Sequence, residues 1–427
     1  MTLGRAELRR AEILAVGSEM LTPDRSDTNS LYVTARLNEL GIDVGAKAVV
    51  GDHLETLASV FAGALDRSDL VVITGGLGPT DDDLTRLAVA RVLGRTMSED
   101  TATVDRIRAR FARRGWPMPE INRRQAEVIE GAALLENRHG TAPGQWIEVG
   151  DKVVVLLPGP PRELRPMLDA LREGHLARRA GRRRLLRRMV GIAGQSESHA
   201  EEVLKPLYVE WSRYDPPVEA TILAAFGLIE LHLSARAESA DQAARSLAAA
   251  AAGVEAAFGL DVFTTDDRDM AHVVGSLLTA RGWRVALAES CTGGLVAKRL
   301  TDVAGSSAFV ESGVVAYSNE AKTRLLGVPV SLIERHGAVS EPVAEAMAEG
   351  ARAGARVEIG VGVTGIAGPA GGTEAKPVGT VAIAVAGPGE RSRVRTFLFP
   401  GNREHVRGIA AQTAIDMVRR AVLQSSP

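Results

Sequence analysis

The residues best equipped for chemistry form one short run, Glu289-Ser290-Cys291-Thr292-Gly293-Gly294, directly after the apolar stretch 284–288. The pattern reads as a strand turning into a helix. A side chain at such a turn meets free backbone N–H groups and the positive end of the helix dipole. Those donors can hold a developing oxyanion, and paired glycines let a substrate approach the backbone closely. Two nucleophiles stand side by side. Cys291 is intrinsically the stronger, but a free cysteine is also a common small core residue. Ser290 needs a base and otherwise reads as a helix N-cap. Two bases follow in the run GVVAYSNEAK (313–322), where a strand tip carries Tyr317 and the next helix carries Lys322. A partly desolvated lysine, or a tyrosine beside one, can take a serine proton. Only six of the 51 basic residues are lysines, so a lysine kept inside such a run stands out. The plainer readings are an amphipathic rim for Tyr317 and a solvated helix face for Lys322.

A second glycine-rich strand exit, Val363-Thr364-Gly365-Ile366-Ala367-Gly368, offers backbone N–H groups to a phosphate or carboxylate. It is not a Walker loop, because no Gly-Lys-Ser/Thr closes it. Arg403, opening the last helical segment, suits a phosphate. Far upstream, Gly75-Gly76-Leu77-Gly78-Pro79-Thr80 leads into Asp81-Asp82-Asp83. One of these acids can cap the following helix. Three of them beside an anion cradle would repel a phosphate unless a divalent cation such as magnesium bridges the two. Glu19, Asp27 and Asn29 follow the first strand and can line the same cleft, or serve as loop and N-cap residues.

The elements that must position these groups alternate strand and helix. Residues 12–17, 43–50, 69–74 and 153–157 read as strands. Between them, Leu54, Leu57, Ala58, Phe61 and Leu65 share one helical face behind an Asp52/Glu55 capping box, and 81–93 reads as a helix. That rhythm predicts a parallel α/β sheet covered on both faces. Near residue 175 the character changes. Seven arginines lie between Arg178 and Arg188, followed by a helix from Ser196, an alternating strand over 229–235 and an alanine-rich helix. This reads as a small α+β insert. From Asp269 the α/β rhythm resumes, with Pro342 suited to a first helical turn and a terminal helix from Asn402. The expected domains are 1–172, 173–264 and 265–427.

Composition sets the outer limits. A chain of 427 residues exceeds one ordinary core, and a net charge of −2 gives no general attraction to nucleic acid. No apolar run is long enough to span a bilayer and no signal-peptide pattern opens the chain, so a soluble cytoplasmic protein is expected. The single cysteine, Cys291, excludes an internal disulfide and a cysteine-built zinc site.

The runs AESCTGG (288–294), GVVAYSNEAK (313–322), TGIAGPAGGTEAKPVGTV (364–381) and GNREHVR (401–407) together resemble the C-terminal module of the CinA family. That family is named for competence and damage induction, and such modules are similar to nicotinamide mononucleotide amidohydrolases. The resemblance implies that Ser290 attacks the carboxamide, with Tyr317 and Lys322 completing the proton transfer and no cofactor needed. It further implies that Thr292, Gly293, Gly294, Asn319, Thr364, Gly365, Gly368 and Arg403 line the substrate site. Asn402 stands where many relatives carry aspartate.

Residues 12–30, GGLGPTDDDLT (75–85), NRHGTAPG (137–144) and LPGPPREL (157–164) resemble the N-terminal CinA module, which is similar to molybdopterin-binding domains. Some members are similar to metal-dependent ADP-ribose pyrophosphatases. On that reading Gly75, Gly76 and Gly78 bind the diphosphate while Glu19, Asp81 and Asp82 hold the metal. The implied fold is a three-layer α/β domain, a small α+β domain and a C-terminal α/β amidohydrolase domain. The implied partners are nucleotides and a second copy of the chain, in a homodimer. The rival readings are a non-catalytic scaffold linked to competence or DNA repair, and a molybdopterin-type binding module without hydrolysis.

Overall fold

Adjacent residues of the first strand bury into opposite cores. Ile13 packs with Val33, Leu37, Leu164 and Leu168, while Leu14 packs with Leu57, Phe61 and Val89. A strand apolar on both faces needs a helical layer on each side, and the computed structural model has that arrangement. It describes residues 6–388 and 392–425. They fall into two compact units, one of residues up to Leu186 with Ala235–Ala244, the other of Arg187–Ser234 with the chain from Arg245.

In the first unit, β1 (Arg10–Val16), α1 (Asn29–Glu39), β2 (Asp43–Val50), α2 (Leu54–Arg67), β3 (Leu70–Thr74) and α3 (Thr85–Leu93) follow in turn. A short ribbon pairs β4 (Met97–Glu99) with β5 (Glu127–Ile129) around α4 (Thr101–Ala112). Then come β6 (Ala132–Leu135), β7 (Gly144–Val149), β8 (Lys152–Leu157), α5 (Pro161–Leu171) and the short α6 (Ala177–Arg179). The sheet order is β2-β1-β3-β8-β7-β6. Its first four strands are parallel, as expected, and β7 and β6 add an antiparallel edge. Two local expectations fail. The Asp52/Glu55 capping box does not form, because Asp52 turns back to accept from the Ser18 N–H at 2.7 Å and leaves His53 as an N-cap without a side-chain bond. The third helix starts at Thr85, not near Asp81, because Asp83 folds over the preceding loop and accepts from the Gly78 and Thr80 N–H groups.

A four-stranded sheet of order β10-β11-β9-β12 is built from β9 (Arg184–Ala193), β10 (Val218–Ala225), β11 (Leu228–Ala237) and β12 (Val262–Thr264). Its helices are α7 (Glu197–Trp211), capped by Ser196, and α8 (Ala240–Phe258).

The chain then continues with α9 (Met270–Arg281), β13 (Val285–Glu289), α10 (Leu295–Thr301), β14 (Val310–Val315), α11 (Asn319–Leu326) and α12 (Val330–His336). It ends with α13 (Glu341–Ala355), β15 (Ile359–Gly365), β16 (Thr380–Ala386), β17 (Arg393–Leu398) and α14 (Arg403–Gln424). The sheet order is β14-β13-β15-β16-β17, parallel over the first three strands and antiparallel beyond. The two faces differ in residue size. Val285, Leu287, Val361, Val363 and Ile383 meet α9 and α14, whereas Ala286, Ala288, Ala382 and Ala384 lie on the side of α13. Gly362 sets that approach, since a Cβ there would lie 2.1 Å from the Ala344 carbonyl oxygen. Among the described residues, no helix is long and apolar enough to cross a membrane.

Candidate active site

Ser290 sits at the carboxyl end of β13, where its N–H still donates to the Val363 carbonyl at 2.9 Å. Ligand sites of open α/β sheets gather at this end of the strands. Gly293 and Gly294, at φ +62° and +90°, then turn the chain into α10. The buried Lys322, carried in by α11, places Nζ 3.0 Å from Ser290 Oγ, 3.1 Å from the Ala316 carbonyl and 3.4 Å from the Tyr317 carbonyl. No carboxylate pairs with this amine among the described residues. Burial holds its pKa below the ordinary 10.5 of lysine. A neutral amine fits the three contacts well. It donates two hydrogens to the carbonyls and presents its lone pair to the serine hydroxyl.

Cys291 points the other way, into the core with Val363 and Val381. It is 5% exposed, and burial pushes its thiol up to about 11. A thiol of that kind stays protonated near neutrality, which removes it as the nucleophile.

Tyr317 corrects an expectation. Its hydroxyl is not at Ser290; it accepts from Arg403 Nη2 at 2.9 Å, on a side chain 59% exposed. Only its backbone carbonyl reaches Lys322. The reason is alternation: the chain leaves the edge strand β14 with Ala316 buried, so the next side chain faces outward. Arg403 also donates from Nη1 to the Gly368 carbonyl at 2.9 Å, tying the second glycine-rich exit to this rim. Asn319 stands exposed at the start of α11. Thr364 is buried and its hydroxyl donates to the Ala338 carbonyl, so it supports the exit loop. Gly365 lies against Cys291, where a Cβ would come 3.0 Å from Sγ. Asn402 caps α14 by accepting from the His405 N–H, as an aspartate would.

Two residues outside the expected set shape the turn. The buried Glu289 carboxylate accepts from the N–H groups of Gly294, Val296 and Ala297 at 2.8–3.1 Å. The donors expected to face an oxyanion are therefore largely filled from within. The Cys291 and Thr292 N–H groups approach the Cys291 sulfur instead. Arg407, one turn beyond Arg403, donates to the Thr292 carbonyl at 2.8 Å, and its buried Nε has no acceptor among the described residues. Glu289 is the second residue of the AESCTGG run, and an acid just before a helix start is a capping candidate. Arg407 was visible only as another arginine.

In the first unit, the carboxyl ends of β1, β3 and β8 open onto a cleft of about 400 Å³. Gly17, Glu19, Asn29, Gly75, Gly76, Gly78 and Asp82 line it. At Gly75 a Cβ would lie 2.2 Å from the Val16 carbonyl oxygen, so only glycine permits this loop. Arg86, buried and not foreseen, donates to the Leu77 and Gly78 carbonyls and holds the loop from behind. Asn29 donates to the Gly159 carbonyl, leaving its buried Oδ1 without a donor. Asp27 accepts from the Ser30 N–H at the start of α1.

The expected metal set is not assembled. Asp81 swings away to an ion pair with Arg124, and of the three expected ligands Glu19 and Asp82 line the cleft; Asp83 lines it too, but its carboxylate is taken by the Gly78 and Thr80 N–H groups. Among the described residues, no group of three or more histidine, cysteine, aspartate or glutamate side chains is placed to hold a metal ion. The donor set does not fit a preformed metal site.

Comparison with known proteins divides the chain along similar lines. Residues 267–422 match the family described as CinA C-terminal domain, and residues 12–178 match a family described as probable molybdopterin binding domain. A CinA-like protein of Koribacter versatilis is 46% identical, covering 97% of this chain and 100% of its own. A CinA-like protein of Acidobacterium capsulatum is 45% identical over the same shares. The crystal structure of the competence/damage inducible protein CihA from Agrobacterium tumefaciens is 40% identical, over 36% of this chain and 94% of that one, with a TM-score of 0.35.

Proposed function

Because the chain belongs to the CinA family, we propose that its C-terminal module deamidates nicotinamide mononucleotide, with Ser290 as nucleophile and Lys322 as its base. The observation that carries this reading is the buried, carboxylate-free Lys322 amine, 3.0 Å from Ser290 Oγ. Neutral Lys322 takes the hydroxyl proton as Oγ attacks the carboxamide carbon. The C–N bond then breaks, and Lys322 returns its proton to the departing nitrogen, which leaves as ammonia. Water attacks the acyl ester, again giving its proton to Lys322, and the carboxylate product is released as Ser290 regains its hydrogen. Arg403 and Arg407, neither paired with a carboxylate among the described residues, face the phosphate of the nucleotide. Tyr317 orients Arg403 and takes no part in proton transfer.

The cleft of the first unit is read as a binding site for a nucleoside diphosphate of the ADP-ribose class. The close-packed glycine loop and the unpartnered Asn29 Oδ1 support that reading. Hydrolysis there would need a divalent ion, for which Glu19 and Asp82 alone do not make a preformed site.

Ammonia release from nicotinamide mononucleotide by the full chain tests the central reading. Wild type releases it, Cys291→Ala retains most of the rate, and Ser290→Ala loses at least about a thousandfold. A folded wild type with no release overturns the amidohydrolase in favour of a ligand-binding module. Magnesium-dependent turnover of ADP-ribose, set beside its simple binding, separates a pyrophosphatase from a binding domain.

A further inference from the structure

The first unit holds a second pocket beside its glycine-loop cleft, with a volume of about 500 Å³. One wall is α4 and the other is the connection from β6 to β7. Arg106, Arg110 and Arg113 line it from α4 and its C-cap, and Arg138 lines it from the connection. The volume is that of a small-molecule site.

The three helix arginines follow at i, i+4 and i+7, so they share one face of α4 and repel one another there. The helix has a single acid, Asp105, and it is committed to Arg108 at 2.6 Å; neither lines the pocket. Arg110 donates from both Nη atoms to the Arg138 and His139 carbonyls, which pins the connection against the helix. Arg106 reaches the Asp100 carboxylate only through Thr103 Oγ1. Arg113 has no hydrogen bond or ion pair from its side chain among the described residues. The pocket's one carboxylate, Glu136, pairs with Arg138. The dipole of α4 favours cations in its last turn, which accounts for Arg110 and Arg113. It does not account for Arg106 in the middle of the helix or for Arg138 outside it.

Charge divides this pocket from its neighbour. The glycine-loop cleft is lined by Glu19, Asp52, Asp82, Asp83 and Glu163, and by no basic side chain among the described residues. The two spaces meet at Thr141, which lines both. Asn137 braces the wall between them by donating to Glu163 and to the Ala142 carbonyl. An anion is repelled on one side of that wall and drawn to the other.

We infer that the arginine pocket is the phosphate subsite of the first unit, and that its ligand is an organic pyrophosphate. The charged groups lie against Arg106, Arg110 and Arg113, while the hydroxyl-bearing part crosses Thr141 and donates to the carboxylates of the cleft. The inference rests on the reading of the first unit as a nucleotide-binding module, and it assigns the diphosphate to α4. The glycine loop then meets the sugar.

Hydrogen exchange on the full chain at physiological salt, without added divalent metal, tests this with inorganic pyrophosphate and, separately, ADP-ribose. Both probes are expected to protect residues 101–113 and 136–141. Arg106→Gln and Arg113→Gln, both exposed changes, should each weaken the affinity read from that protection about tenfold. Arg108→Gln removes the same charge from the same helix but off the pocket, and should change it less than about twofold. If Arg108→Gln weakens binding as much as the pocket substitutions do, the attraction is diffuse and the inference falls. It falls too if neither probe protects these segments. ADP-ribose protection confined to the glycine loop overturns the subsite and leaves the nucleotide reading standing. Pyrophosphate protection that depends on Arg106 and Arg113, with none from ADP-ribose, keeps the anion site and overturns the nucleotide reading instead.

Discussion

Lys322 carries a testable consequence of its burial. Its folded-state pKa lies below 10.5, so between that lowered value and 10.5 the unfolded chain binds more protons than the folded one. The cost of burying the ammonium is fully present below the folded pKa and is relieved as pH rises towards 10.5. Lys322→Met should therefore abolish ammonia release and yet raise the melting temperature at neutral pH, since an apolar side chain of similar length replaces a buried amine that has no carboxylate partner. In the wild type, kcat/KM should climb with pH along a limb whose midpoint lies below the ordinary lysine value. A limb that survives in Lys322→Met would assign the base elsewhere. Glu289 acts by a different route. Glu289→Gln keeps the size but turns an amide toward three N–H donors, which should cost about 2 kcal/mol in a urea titration and loosen the Ser290 turn.

At the scale of elements, the packing of α13 on β15 leaves no room for a side chain at Gly362. Gly362→Ala must push Ala344 and its helix outward, and a loss of at least about 2 kcal/mol is expected by urea denaturation. These elements were largely legible in the sequence. Apolar runs closed by glycine gave the strands of both sheets, and Ser196, Asn402 and Pro342 gave helix starts that the structure retains. The failures occur where polar side chains had a choice of local partners. A capping box is expected at Asp52 and a cap from one of Asp81, Asp82 and Asp83, but Asp52 and Asp83 each bond instead to loop N–H groups. Residue type offers Ser290 two bases, Tyr317 and Lys322, without choosing between them; the fold sets Lys322, 32 residues on, beside it. The direction of the Tyr317 ring was not, because it depends on which side of an edge strand faces solvent. Arg86, and what Arg407 does within the GNREHVR run, escape the sequence for a related reason. Their roles consist of contacts with main-chain atoms or side chains of remote segments, and nothing in residue type or spacing announces them.

At the scale of the whole molecule, two α/β units each place glycine-rich turns at the carboxyl ends of parallel strands, yet only one also has an amine against a hydroxyl there. On the proposed function the chemistry resides in the second unit, and the first supplies recognition. A consequence follows from the one cysteine in 427 residues being Cys291, buried behind the nucleophile. A thiol-reactive dye has no other target, so the native chain comes with a silent reporter already installed. Labelling should be negligible in the folded state and complete in urea. At intermediate denaturant its rate should track the population of molecules whose second unit has opened. Fast labelling in the absence of denaturant would show that the turn holding Ser290 breathes on its own. Opening of that turn could then be timed without introducing a single mutation.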